Sequence, residues 1–168
     1  MKNNKAILIV MAAVLYSLMP VAGQAASGTV EVILSSTLNV YAVQMGESTV
    51  TATGGKGMLT FAHSTGRPFL DGASATVELA SFSKTTPSGL ELEADGLATF
   101  SPEDTLLLLF ERRSDDLGTS DEGNLRLTGG TGRFAGVTGQ CRYKMENRAD
   151  DANLTTANCQ WVYLFPYR

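Results

Sequence analysis

The 168-residue sequence predicts an all-β domain, built as an antiparallel sandwich or a closed barrel. Three observations lead there. Short segments of strand-like composition recur along the chain, broken by clusters of Gly, Pro, Asn, Asp and Ser. After residue 27 no apolar stripe of helical period runs for three turns. None of the connections between segments carries the helical pattern that a crossover to a parallel strand needs.

The first element is not part of that domain. Met-Lys-Asn-Asn-Lys is followed by the apolar run Ala6–Met19 and then by Pro20-Val-Ala-Gly-Gln-Ala-Ala-Ser27. A basic start, an apolar centre and a small-residue zone are the order of a secretory signal peptide, with cleavage expected after Ala25. The rival is an uncleaved anchor, since the weakly polar stretch to Ala26 is just long enough to span a bilayer; Pro20 and Gln24 weigh against it. The expected organisation is residues 1–25 as signal peptide and 26–168 as one domain of 143 residues (168 − 25), enough for a single core. Removing Lys2 and Lys5 leaves 11 basic residues (13 − 2) against 17 acidic ones, a formal charge of −6 (11 − 17). An acidic surface is a poor match for nucleic acid or anionic lipid, so neither is expected as a partner.

Within the domain, strands are predicted over Thr29–Leu34, Leu38–Gln44, Ser48–Thr53, Gly57–Ala62, Ala75–Phe82, Leu90–Ala94, Leu97–Phe100, Thr105–Arg112, Asn124–Thr128, Gly139–Glu146 and Asn158–Phe165. In Leu90–Ala94 the apolar side is Leu90, Leu92 and Ala94, with Glu91 and Glu93 on the other face. Thr105–Arg112 is apolar on both faces, as expected for a strand with a second layer or a partner subunit outside it.

The last two strands carry the only cysteines, Cys141 and Cys159. An even count in an exported chain reads as one disulfide, and with His63 as the single histidine a zinc ligand set is missing. Pairing Cys141 opposite Cys159 brings Tyr143 near Ala157 and makes a hairpin around Asn147–Thr156. Directly opposed residues in an antiparallel ladder are close enough to be bridged. The intervening loop contains the sequon Asn153-Leu-Thr155, which matters only in a eukaryotic secretory host.

The stretch Leu127-Thr-Gly-Gly-Thr-Gly-Arg-Phe-Ala-Gly136 raises a nucleotide-binding reading, because glycines after a strand can cradle a pyrophosphate. The residues that follow, Val-Thr-Gly-Gln-Cys-Arg-Tyr-Lys, alternate like a strand rather than a helix, and no Gly-Lys-Ser/Thr follows the glycines. The alternative is a strand–turn–strand joint. There Gly129, Gly130 and Gly132 shape the turn, Phe134 folds back over the core, and Gly136 and Gly139 permit close backbone approach. No cofactor is expected.

Leu127–Tyr143 resembles the Gly-Gly-Thr/Ser-Gly-x-Phe-x-Gly-x-x-Gly signature of allene oxide cyclases, dirigent proteins and bacterial secreted proteins that share their barrel. The resemblance covers about 17 residues. It implies a single antiparallel barrel of about eight strands, often trimeric in the plant proteins. Catalytic residues of that family lie outside the shared signature and match no position here, so the resemblance implies a fold and no activity.

Chemistry elsewhere is sparse. His63 lies in a turn-like stretch without a nucleophile elbow. Asp115, Asp116, Asp121 and Glu122 lie in a Gly-Ser-rich loop that lacks EF-hand spacing. Glu78 and Glu111-Arg112 are the polar groups best placed to point into a barrel. Phe100, Leu108, Phe110, Tyr143, Trp161 and Tyr163 are candidates to line an apolar cavity, with a packed core as the alternative. The expected protein is exported, periplasmic or secreted. It is a non-catalytic binder or guide for a small apolar molecule, with a cofactor-independent cyclase or isomerase, or a structural protein, as alternatives. A homo-oligomer, dimer or trimer, is also expected.

Overall fold

The computed structural model describes residues 25–114, 121–148 and 152–164. They form β1 (Ala25–Met45), β2 (Ser48–Ala62), β3 (Ser74–Thr86), β4 (Gly89–Thr99), β5 (Thr105–Ser114), β6 (Glu122–Gly130), β7 (Val137–Asn147) and β8 (Ala152–Leu164). A single 3-10 turn, Gly132–Phe134, joins β6 to β7. Each strand pairs antiparallel with its sequence neighbour and β8 returns to β1, so the sheet closes into a barrel. Of the two architectures the pattern allows, the barrel forms. The expected signal peptide covers residues 1–24, outside the described residues, and Ala25, its last residue.

Three pairs of predicted segments are single long strands: the first two make β1, the next two β2, and Leu90–Ala94 with Leu97–Phe100 make β4, which ends at Thr99. The polar and glycine residues between them read as breaks but are paired in the ladder, Ser36 with Gly57 and Leu38 with Gly55. A Cβ on Gly55 would strike the Leu38 side chain and the Thr37 carbonyl, and one on Gly57 the Ser35 carbonyl. These glycines therefore mark close approach within a coiled pair of strands rather than its end. Phe165, the predicted end of the last strand, lies outside the described residues.

Following the register from Val40 through Thr53, Ser81, Ala94, Phe110, Leu125, Cys141 and Cys159 returns to β1 at Val30, a displacement of ten residues (40 − 30). Closure with such a stagger tilts the strands by roughly 40°. It also makes the rim uneven. β8 begins at Ala152, opposite Thr37, whereas β1 runs on to Met45, eight residues further (45 − 37).

Alternation sends Val30, Val32 and Leu34, Leu59 and Phe61, Leu106, Leu108 and Phe110, Leu125 and Leu127, and Cys141 and Tyr143 into one buried cluster. The largest rings sit where a neighbouring strand offers no side chain. Trp161 is directly opposite Gly28 on β1 and Gly139 on β7, and Tyr143 is opposite Gly123 on β6. A Cβ at Gly28 would lie 2.8 Å from the indole, so the glycine makes room for the ring. β5 is buried at Leu106, Leu108 and Phe110, while Leu107 on its outer face is 44% exposed, so among the described residues no second layer covers that side.

Cys141 and Cys159 are disulfide-bonded, directly opposed in the β7–β8 ladder with Cα atoms 4.0 Å apart. Tyr143 pairs with Ala157, as the proposed hairpin requires. That hairpin is longer than expected: Asn153 and Leu154 belong to β8, opposite Asn147 and Glu146, so the sequon lies in a strand. Both cysteines point inward and are buried, which keeps solvent and reductants from the bridge.

Candidate functional site

The two ends of the barrel differ in chemistry. One is closed by aromatic rings that come from five separate places in the chain. Phe61 and Trp161 project from β2 and β8, Phe100 follows β4, Phe69 comes from the β2–β3 connection, and Phe134 from the 3-10 turn. Phe61 meets Phe69 edge-on at 4.9 Å and stacks on Phe100 at 5.0 Å; Phe134 lies 4.9 Å from Phe100 and 5.6 Å from Phe69. The guanidinium of Arg133 covers the cluster, 4.9 Å from the Phe100 ring and 4.8 Å from Phe134.

The Gly-rich stretch builds this plug. One extra residue in β6 between Leu127 and Gly130 shifts its register with β5. Gly132, at φ +56°, then turns the chain so that Phe134 enters the core fully buried. Hydrogen bonds fasten the turn to the β4–β5 connection: the Arg133 backbone N–H donates to the Asp104 carboxylate at 2.9 Å, and the Thr131 hydroxyl donates to the Glu103 carbonyl at 2.6 Å. Gly136 and Gly139 lie against the Leu164 and Gln160 carbonyls of β8, where a Cβ would intrude. The turn carries three glycines at positive φ, yet its backbone is committed to capping a barrel and not to a phosphate. The β2–β3 connection is fastened in the same manner: the Ser64 backbone N–H donates to Asp71 and the Ser64 hydroxyl to the Phe69 carbonyl.

At the other end the interior turns polar. Ser36 and Thr155 are buried, and Arg112 follows Leu106, Leu108 and Phe110 on the inward face of β5. Its side chain is 13% exposed, and Nη2 approaches Asp121 at 3.9 Å. Its Nε is buried with no hydrogen-bond partner among the described residues. Beside it, Tyr143 packs edge-on to Phe110 at 5.6 Å. Burial pushes the Tyr143 phenol above the usual tyrosine range, and the positive charge of Arg112 pulls it part of the way back.

A cleft opens here because the ladder parts. β5 and β6 pair up to Glu111 and Asn124 and no further, although β4 stays paired to β5 as far as Ser114 and β6 to β7 as far as Lys144. The gap is a cleft of about 490 Å³ whose inner lining is Leu92, Arg112 and Gly123 and whose outer lining is mostly charged, with Glu91, Glu93, Glu111 and Arg113 around Phe82. Gly123 makes room beside it for the buried Tyr143 ring, which packs where a Cβ would lie. The arrangement can hold an acceptor oxygen on Arg112 and an apolar body against Leu92 and Phe82.

Of the candidate lining residues, Leu108, Phe110, Tyr143 and Trp161 are buried, and Phe100 and Tyr163 are partly buried against the core. They are not one group: Phe100 and Trp161 belong to the aromatic plug and Phe110 and Tyr143 to the Arg112 end. Of the polar candidates, only Arg112 points inward. Glu78 faces solvent and pairs with Lys56 at 3.3 Å, and Glu111 faces out to Arg126 at 2.8 Å, because both fall on the outward phase of their strands. Glu91 and Glu93 are exposed. His63 is an exposed loop residue 3.5 Å from Glu31. Among the described residues no group of three or more His, Cys, Asp or Glu could hold a metal ion; Asp115 and Asp116 lie outside them. Phe69 escapes sequence reading because a loop residue carries no periodic signal.

The same fold is seen in a solved structure titled "Structure of the pterocarpan synthase dirigent protein GePTS1", which matches with a TM-score of 0.54 over 85% of this chain and 93% of that one, at 12% identity. No family model and no curated protein matches the sequence. The chain therefore has a dirigent-like barrel fold, closed by eight antiparallel strands.

Proposed function

We propose that the protein is exported and holds a small, largely apolar molecule in the cleft at the Arg112 end, without itself catalysing a reaction. The observation that carries this is the parted ladder between β5 and β6, floored by an arginine whose Nε has no partner among the described residues. An arginine is fully charged at every physiological pH, and burying it with a donor unmatched is unfavourable. A ligand oxygen on Arg112 removes that cost, and Leu92 and Phe82 supply the apolar surroundings. Export rests on the signal-peptide pattern together with a buried disulfide, which forms in oxidising compartments.

The alternative of a cofactor-independent cyclase or isomerase draws on the same pair: Arg112 would polarise a substrate oxygen while the neutral Tyr143 phenol donates a hydrogen bond. Carboxylates lie at the cleft, but Glu91, Glu93, Glu111 and Glu122 fall on the outward phase of their strands and Asp121 approaches the Arg112 guanidinium, which favours binding over proton abstraction at the inner floor.

Native mass spectrometry of the mature protein, purified without detergent, tests the reading. A co-purifying small molecule that is retained by the wild type and lost from Arg112→Met supports it. A protein that carries nothing and binds no member of a small library of phenolic and alicyclic oxygenated probes overturns it.

A further inference from the structure

The interior at the Arg112 end has a second set of polar groups on the opposite wall. In the ring of eight strands β1 stands four strands from β5 in either direction, so the two face each other across the interior. Rung by rung from Arg112, the register leads to Ala42 of β1 through Leu92, Ser83 and Thr51. The other way round it leads to Val32 through Gly123, Tyr143 and Ala157, Gly123 being the rung after the last pair, Glu111 with Asn124. In an evenly tilted barrel the level of Arg112 falls midway between these two, at residue 37 ((42 + 32)/2 = 37), between the inward-pointing Ser36 and Leu38. Ser36 pairs with Asn153 on β8, and Thr155, one rung deeper, pairs with Leu34.

Ser36 is 6% exposed and Thr155 7%, and neither hydroxyl has a hydrogen-bond partner among the described residues. Buried hydroxyls left unmatched carry a desolvation cost of the same kind as the Nε of Arg112. We propose that Ser36 and Thr155 are specificity-determining residues for the ligand of the cleft, receiving a hydroxyl group at the end of the molecule remote from Arg112. This rests on the proposal that the Arg112 end holds a small molecule. The two walls ask for different chemistry. A guanidinium only donates, so Arg112 takes an acceptor such as a carbonyl or ether oxygen. A serine or threonine hydroxyl both donates and accepts, so the pair suits a group that does both, which is a hydroxyl. As diagonal neighbours across an antiparallel ladder the two residues lie about 7–8 Å apart, within reach of one oxygen placed between their side chains. β1 and β8 contain no Lys or Arg, so a carboxylate or phosphate there would be buried without a counter-charge. The ligand class is an apolar body with an acceptor oxygen at one end and a hydroxyl at the other.

Isothermal titration calorimetry of the mature protein with two matched probes tests it. 4-(4-Hydroxyphenyl)cyclohexanone carries a carbonyl and a hydroxyl at its two ends, and 4-phenylcyclohexanone lacks the hydroxyl. The wild type is expected to bind the hydroxylated probe about tenfold more tightly. Ser36→Ala/Thr155→Val should bring that affinity down to the level of the other probe, whose own affinity stays within about twofold. The same double variant should keep or raise the urea midpoint, because unmatched hydroxyls give way to apolar groups of similar size; a lowered midpoint would assign the hydroxyls to the fold instead. Equal wild-type affinity for the two probes, or a double variant that still tells them apart, overturns this inference and leaves the cleft proposal standing. Binding of neither probe overturns both.

Discussion

Phe134→Ala is the most informative perturbation of the fold, because it removes the ring that the Gly-rich turn exists to place. Phe134 is fully buried and touches Phe100, Phe69 and Phe61 at centroid distances of 4.9, 5.6 and 6.1 Å, with Arg133 above it. Truncating a buried phenylalanine costs about 3–5 kcal/mol, the spread reflecting how far the site can collapse. Here collapse is hindered. The turn is tied down by the Asp104 carboxylate on the Arg133 N–H and by the Thr131 hydroxyl on the Glu103 carbonyl, so the backbone cannot follow the lost ring inward. The loss should fall near the middle of the range, about 4 kcal/mol, equivalent to roughly 10–15 °C in Tm for a domain of this size. Urea unfolding under non-reducing conditions measures it, with fluorescence of the single tryptophan as the signal. Trp161 is 5.4 Å from Phe69 in the same cluster, so it reports the plug directly. Phe134→Leu, which keeps most of the volume, should cost less than about 1.5 kcal/mol. A loss below about 1 kcal/mol for Phe134→Ala would show that the plug frays independently of the barrel and refute the reasoning.

Further outcomes follow from the disulfide and from the Arg112 end. Cys141→Ala/Cys159→Ala removes a bridge between residues 18 apart and should destabilise the protein by about 3 kcal/mol on the chain-entropy account; the difference between oxidised protein and double variant in urea measures it. Because both sulfurs are buried, native protein in millimolar dithiothreitol should become reactive to a thiol label only at the rate of global or local opening, and mild denaturant should accelerate labelling steeply. Tyr143 should ionise above the ordinary phenol value of about 10, and Arg112→Met should move it higher still by removing the cation that lowers it; absorbance at 295 nm follows the titration. The sign for stability is definite: the unfolded chain releases the phenolic proton first, so the folded state loses stability as pH rises above about 10, and Tyr143→Phe removes that slope. Amino-terminal sequencing of exported protein should begin at or within a residue of Ala26.

The primary structure carries the class of the fold in plain form. Period-two alternation in Leu90–Ala94, Cys141–Met145 and Cys159–Tyr163 assigns the inward residues correctly, since alternation depends only on the pleat and not on the partner strand. The disulfide is legible for the same reason: the two alternating runs can be laid opposite each other with Cys141 on Cys159 and Tyr143 on Ala157. The Gly-rich stretch is legible as a turn because the residues after it alternate as a strand.

What the tertiary structure alone decided is how the strands join and which phase each polar residue takes. Glycines at 55, 57 and 96 look like breaks in a one-dimensional reading, and only the neighbouring strand shows that they are close approaches inside long strands. Glu78, Glu111 and Arg112 are equivalent in the sequence, each a charge beside apolar residues. Phase relative to a closed sheet sends the two glutamates outward and the arginine in. The cleft arises where β5 and β6 stop pairing, and the longer reach of β1 past the start of β8 arises from the ten-residue stagger of closure. Both are properties of the whole ring of eight strands, which no single segment encodes.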